Sequence, residues 1–245
     1  RDCLFEENVS AAGGAIYAEA SDLSCSGSVF EGNSSAEGGA VYLLGTGVPS
    51  RAELQYCVFA GNFAADVHVI NAFFHDFDAH HNVFWSTVPQ LRVPASILVT
   101  GADAVVERSV FQGRNDGGTV RCVGSAQVEI GCNVFYPGIL PVTCAEQPDN
   151  RVADPLFCDP AVRDFRVRAG SPCLPENSPS GCGAIARYET AACPLSADGQ
   201  PPTLAGVRRP FRDHPDFTRA ERALTPSAGA ARSPARSSLA GSRLS

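Results

Sequence analysis

The chain has 245 residues, enough for one elongated domain with an appendage, and carries a formal net charge of −7. All 19 basic residues are Arg; residues 1–194 hold 11 of them against 22 acidic residues (−11), and residues 195–245 hold 8 against 4 (+4). An acidic body argues against nucleic acid as a partner, because phosphate binding needs a basic stripe. No segment approaches the roughly 18–20 continuous apolar residues of a spanning helix, so no transmembrane segment is expected. The sequence contains no Met and begins inside a repeat at Arg1, the pattern of a fragment or processed form.

In chain order, the first unit is Phe5-Glu6-Glu7-Asn8 followed by Gly13-Gly14-Ala15-Ile16-Tyr17. Its cleanest copy is Phe30-Glu31-Gly32-Asn33 followed by Gly38-Gly39-Ala40-Val41-Tyr42. Phe59-Ala60-Gly61-Asn62, Val83-Phe84, Val110-Phe111 and Val134-Phe135 keep the first half. The anchoring residues are therefore Phe5, Phe30, Phe59, Phe84, Phe111 and Phe135, spaced by 25, 29, 25, 27 and 24 residues. A period in the twenties predicts a solenoid, in which each turn of chain buries its apolar face only when a neighbour stacks on it. Short apolar runs separated by Gly, Asn and Ser, with no leucine-rich pattern, select a parallel β-helix of about six coils from Arg1 to roughly Tyr136. The Phe side chains should stack in one interior column at the inter-strand spacing of about 4.8 Å. Asn8, Asn33 and Asn62 should sit at turns, bonding to backbone and to the same Asn in the next coil. Gly13, Gly14, Gly38 and Gly39 should supply positive φ or close backbone approach before an inward strand.

The F-x-x-N and G-G-A-[I/L/V] pair resembles the repeat of the polymorphic outer membrane proteins. That resemblance implies a right-handed parallel β-helix displayed on a bacterial surface.

Between the second and third copies, the longer turn Leu44-Gly45-Thr46-Gly47-Val48-Pro49-Ser50 should protrude from one side, as insertions in solenoids do. The repeat then degrades through Asp66 to Phe74 and reaches the cluster His75-Asp76-Phe77-Asp78-Ala79-His80-His81-Asn82. Asp76, Asp78 and His80 would share one face of a strand. Together with His75 and His81 they are candidates for a divalent cation, Ca²⁺ or Zn²⁺, or for an acidic sugar. The competing reading is a solvated strand with Phe74 or Phe77 inward. Arg108, Arg114 and Arg121 are further candidates for an acidic sugar. Asn115-Asp116-Gly117-Gly118 is a turn signal, and Pro137 and Pro141 tend to end the ladder.

The ten cysteines contain no C-x-x-C and no zinc spacing. Half of them crowd between Cys144 and Cys193, where a loop-rich segment needs covalent staples in an oxidising, exported setting. At least one disulfide is expected there, with Cys173–Cys182 the first choice. Cys3 and Cys57, two residues before an anchoring Phe, should point into the core, as stacked thiols in preference to a bridge.

Residues 1–148 thus read as the β-helix, residues 149–194 as a C-terminal cap and residues 195–245 as a disordered tail. Asp154-Pro155-Leu156-Phe157-Cys158-Asp159-Pro160, Asp164-Phe165-Arg166-Val167, Gly170-Ser171-Pro172-Cys173 and Gly183-Ala184-Ile185 resemble the block that closes many secreted bacterial β-helix proteins. The resemblance implies that this block terminates the helix ahead of an anchoring or sorting module. Leu156, Phe157, Phe165, Val167 and Ile185 would then cover the open end of the solenoid. Pro201 to Phe211 looks like the opening of such a module, and the loss of any period beyond it suggests a frame shift near Arg208.

The expected function is a monomeric, non-catalytic stalk, adhesin or carbohydrate-contacting module, secreted or at the outer membrane surface. Its partner would be a cell-surface glycan or a receptor on a host or neighbouring cell. The alternative is a polysaccharide lyase or glycoside hydrolase. A Lys-base lyase is excluded by the absence of Lys; an Arg-base lyase would need Asp residues on neighbouring coils to hold Ca²⁺. Asp76 and Asp78 are the nearest carboxylate pair for hydrolysis.

Overall fold

Each coil opens on a Val-Phe or Leu-Phe pair, and strand alternation sends the two side chains to opposite faces. In the computed structural model, which describes residues 1–65, 68–85, 95–112, 119–137, 144, 149–186 and 193, this alternation generates a parallel β-solenoid. The first sheet stacks Leu4–Glu6, Val29–Glu31, Val58–Ala60, Val83–Trp85, Val110–Gln112, Val134–Tyr136 and Arg151–Val152 in parallel. Its register places Phe on Phe from Phe5 to Phe135. Successive rings are stacked with centroids 4.7–5.2 Å apart.

A short second sheet holds Val9–Ala12, Ser34–Glu37 and Phe63–Ala64. The third contains Ile16–Glu19, Val41–Leu44, His68–Phe73, Ala95–Thr100 and Val120–Val123. The fourth contains Leu23–Ser26, Arg51–Gln55, Asp76–His80, Asp103–Glu107 and Gln127–Gly131. Five strands in each of the last two sheets mean about five turns, not six. Val134–Tyr136 begins a further coil, and the Arg151–Val152 strand adds the last rung of the first sheet.

Two columns of polar side chains lock the corners. Asn8 and Asn33 each donate, through backbone and side-chain nitrogens, to the side-chain oxygen of the Asn in the next coil, at 2.9–3.1 Å. The second column has no counterpart in the sequence reading: the Cys57 backbone N–H donates to Asn82, Asn82 to Ser109, Ser109 to Asn133 and Asn133 to Asn150. Buried amides satisfied in this way avoid the cost of an orphaned donor. Within each Gly-Gly pair the roles divide. Gly13 and Gly38 take φ of +60°, whereas a side chain at Gly14 would collide with the Gly39 carbonyl of the next coil.

The C-terminal segment does not cover the open end of the solenoid. Phe157, Phe165, Val167, Leu174 and Ile185 pack instead against Val58, Ala60, Val83, Val110 and Val134, on the outer face of the first sheet. The reason lies in the Val-Phe pairs: a sheet apolar on both faces must be covered on both. The segment contributes a hairpin of Phe157–Asp159 and Asp164–Val167, and Trp85 meets Phe157 and Phe165 edge-on at 5.2 and 5.8 Å. Polar contacts fasten it: Arg163 pairs with the buried Glu31, and the Arg108 Nε donates to the Cys182 carbonyl at 2.8 Å.

The disulfides are Cys122–Cys144, Cys132–Cys182 and Cys158–Cys193, each with Cα atoms 5.4 Å apart. The Cys173–Cys182 choice is therefore corrected. Cys182 reaches sideways to Cys132 in the last coil, while Cys173 is a free buried thiol whose pKa burial pushes up to about 12. Cys57 is buried as expected, but Cys3 is exposed, next to the edge strand Leu4–Glu6 of the first sheet. Arg114, the Asn115–Gly118 turn, Pro141 and the residues from Pro194 onward, including the Pro201–Phe211 stretch, lie outside the described residues.

Candidate functional site

The alternation in Asp76–His80 turns Phe77 and Ala79 inward and Asp76, Asp78 and His80 outward. On that face the register sets Asp76 beside Arg51 and Asp103, Asp78 beside Glu53 and Val105, and His80 beside Gln55 and Glu107. Glu129 lies beyond Val105. Arg51 grips both Asp78 carboxylate oxygens at 2.6 Å, a bidentate pair, and Asp76 accepts the Asp103 backbone N–H at 3.0 Å. His80 stands 4.0 Å from Glu107.

The five candidate ligands do not converge. His75 points inward, with ring nitrogens 2.9 and 3.1 Å from the carbonyls of Asp76 and Ser21. His81 turns to the C-terminal segment. Among the described residues, the group of three with ligand atoms within mutual reach is Cys132, Asp149 and Cys182, and its two sulfurs are joined as a disulfide. The outer face of the fourth sheet is instead an acidic ladder of Glu53, Asp76, Asp78, Asp103, Glu107 and Glu129, whose field repels a uronic acid. Of the Arg candidates, Arg108 is spent on the Cys182 carbonyl and Glu107, while Arg121 stands exposed on the third sheet.

His81 stacks on Tyr56 at 4.8 Å and its Nδ1–H donates to the Ala186 carbonyl at 2.7 Å, clasping the C-terminal segment. Burial lowers its pKa, and nearby Arg108 and His80 act in the same sense against the opposing pull of Ala186 and Glu107. The unfolded state therefore binds a proton first as pH falls through about 6.5, and stability drops on acidification. In urea titrations between pH 7.5 and 5.5, His81→Phe should lose part of this decline. An unchanged slope would show that His81 does not carry it.

The other outward face has a different character. On the third sheet, Tyr17 stacks on Tyr42 at 5.7 Å, and the register continues through Asn71 and Leu98 to Arg121. The neighbouring column runs from Leu44 through Phe73 and Thr100 to Val123. It ends in a corner position occupied by Ala20, Gly45, Phe74, Gly101 and Gly124 in successive coils. Phe74 is the large residue in that series, and it holds φ of +50° with 55% of its surface exposed. A bulky residue with positive φ is a genuine conformational outlier, costing on the order of 1–3 kcal/mol. Its ring lies over Gly101, where any side chain would collide with it, and meets the 38%-exposed Phe73 edge-on at 4.6 Å. Exposed Val48 lies in the connection to the fourth sheet that follows Leu44. Sequence reading missed this corner; a Phe in register with Gly and Ala was the available signal.

Residues 2–19 and 27–43 match the Chlamydia polymorphic membrane protein repeat. The chain is a parallel β-helix protein whose first two coils carry polymorphic membrane protein-like repeats. The matched segments contain Phe5, Asn8, Gly13 and Gly14, and Phe30, Asn33, Gly38 and Gly39, the residues that form the Phe column, the Asn ladder and the Gly corners. No curated protein and no solved structure matches the chain significantly. Among the described residues, no helix is long and apolar enough to cross a membrane.

Proposed function

We propose that the protein is a non-catalytic module of a bacterial outer surface that contacts a neighbouring surface through the third sheet and its aromatic corner. The polymorphic membrane protein-like repeats support surface display and an adhesin-like role. The observation that carries the contact face is Phe74, a strained and exposed aromatic where the other coils place Ala or Gly. The ligand class this face suits best is a neutral or amino-sugar glycan. Exposed rings and the Tyr17 and Tyr42 hydroxyls can meet a sugar's apolar and hydroxyl faces, while the acidic ladder on the next sheet disfavours uronic acids. The enzymatic reading has less support, since the Asp78 carboxylate is held by Arg51 and Asp76 caps a backbone amide.

A glycan array on the full chain, run beside an assay for unsaturated uronide absorbance, tests the proposal. The doubly substituted Phe73→Ser, Phe74→Gly protein should keep its fold, because glycine relieves the positive φ, and lose binding roughly tenfold or more. Turnover, or binding indifferent to the double substitution, would overturn the reading.

A further inference from the structure

Cys25 and Cys57 lie in successive coils at one corner of the interior. Cys25 is the inward residue of the Leu23–Ser26 strand, registered on Leu54 of the strand below, and Cys57 follows Leu54 by three positions. Both are buried, at 6% and 1% exposure, and the Cys57 thiol lies 3.6 Å from the Cys25 carbonyl. The Cys57 thiol also lies 3.3 Å from the Gln55 carbonyl. Six of the other cysteines are joined in three disulfides, whereas Cys3 is exposed and Cys173 is packed among the apolar residues of the C-terminal segment.

We propose that Cys25 and Cys57 are an oxidisable pair that becomes a fourth disulfide, riveting the first coil to the second. Such a bond joins stacked coils, which no described disulfide does in this half of the solenoid. The oxidant is a disulfide-bearing thiol oxidant of the export compartment. The Cys25 thiolate attacks one sulfur of that disulfide and expels the other as a thiolate, giving a mixed disulfide. The Cys57 thiolate then attacks the Cys25 sulfur and expels the oxidant's second thiol. The cysteine pair loses two electrons and two protons, and the oxidant leaves as two thiols. The neighbouring Cys57 thiol lowers the Cys25 pKa, which fits Cys25 as the attacking thiol. With both sulfurs buried, the exchange takes place before the coils close or during their opening.

The experiment uses the full chain secreted into an oxidising compartment, purified without reductant, unfolded in guanidinium with excess iodoacetamide and digested for mass mapping. The expected result is a peptide pair linked through Cys25 and Cys57, unalkylated until dithiothreitol releases it. Recovery of both as alkylated thiols, or linked to other cysteines, would overturn the proposal. Thermal unfolding provides a second readout that survives any packing cost of substitution. If the bond exists, Cys25→Ala, Cys57→Ala and the double variant should all lose a similar amount, roughly 10 °C. Losses that add in the double variant, as for independent core residues, would overturn it.

Discussion

Phe84→Ala is expected to destabilise the protein by about 4 kcal/mol and to lower its melting temperature by roughly 10 °C. Phe84 is fully buried, and its ring lies between Phe59 and Phe111 with centroids 4.8 and 4.7 Å away. Truncation removes the transfer free energy of the ring, opens a hole in the column and deletes two stacked contacts worth about 0.5–1.5 kcal/mol each. The stack cannot collapse to close the gap, because strand register fixes the neighbouring rings about 4.8 Å apart along the axis. Position in the column sets the size of the effect. Phe5 is only partly buried and has a single stacked partner among the described residues, so Phe5→Ala should cost about half as much or less. Urea unfolding of the two variants compares them directly; equal losses would mean that the column does not stabilise the fold as a stacked unit.

The fold was legible because its determinants are local and repeated. A Phe every 24–29 residues, an Asn three positions on and a Gly pair before a strand each recur at a fixed place, and stacking follows from the period. What was not legible depends on which face of a strand finds a partner far along the chain. The Val column is visible as Val58, Val83, Val110 and Val134, but no period links it to Phe157, Phe165 and Ile185. Sequence alone therefore sends the segment to the open end when it belongs on the side. Disulfide partners are hidden for the same reason: Cys132 and Cys182 are 50 residues apart and meet only once the segment lies along the sheet. The His75–His81 cluster looks like a ligand set because density in sequence imitates convergence in space. Strand alternation and the left-handed residues Phe74 and His81 on either side send its members in three directions. The aromatic corner escapes notice because the degraded coil hides the alignment of Phe74 with Gly45 and Gly101 until the strands are in register.

Val110→Asp should release the C-terminal segment while leaving the interior column in place. Val110 is completely buried between the first sheet and that segment, and its neighbour Phe111 points to the opposite face, so a change at Val110 strikes one core and spares the other. A carboxylate there would face the apolar interface formed by Val83, Val134, Phe157, Phe165 and Val167. Burying it costs several kcal/mol, and the cheaper response is to swing the segment away and hydrate the charge. The Cys132–Cys182 bond would keep the released segment tethered, so after a protease cut the fragments should stay together on non-reducing gels and separate on reducing ones. Hydrogen exchange should then rise across Phe157–Asp159 and Asp164–Val167, proteolysis should cut between residues 153 and 181, and the newly exposed Val column should bind a hydrophobic dye. Amides of the Val83–Trp85 strand are the control: they should keep their protection, since the strand's hydrogen bonds run to neighbouring coils and not to the segment. If Val110→Asp leaves the hairpin as protected as in the parent protein, the lateral packing is not held by these valines. If protection disappears from both cores together, the segment and the solenoid fold as one cooperative unit and cannot be released separately.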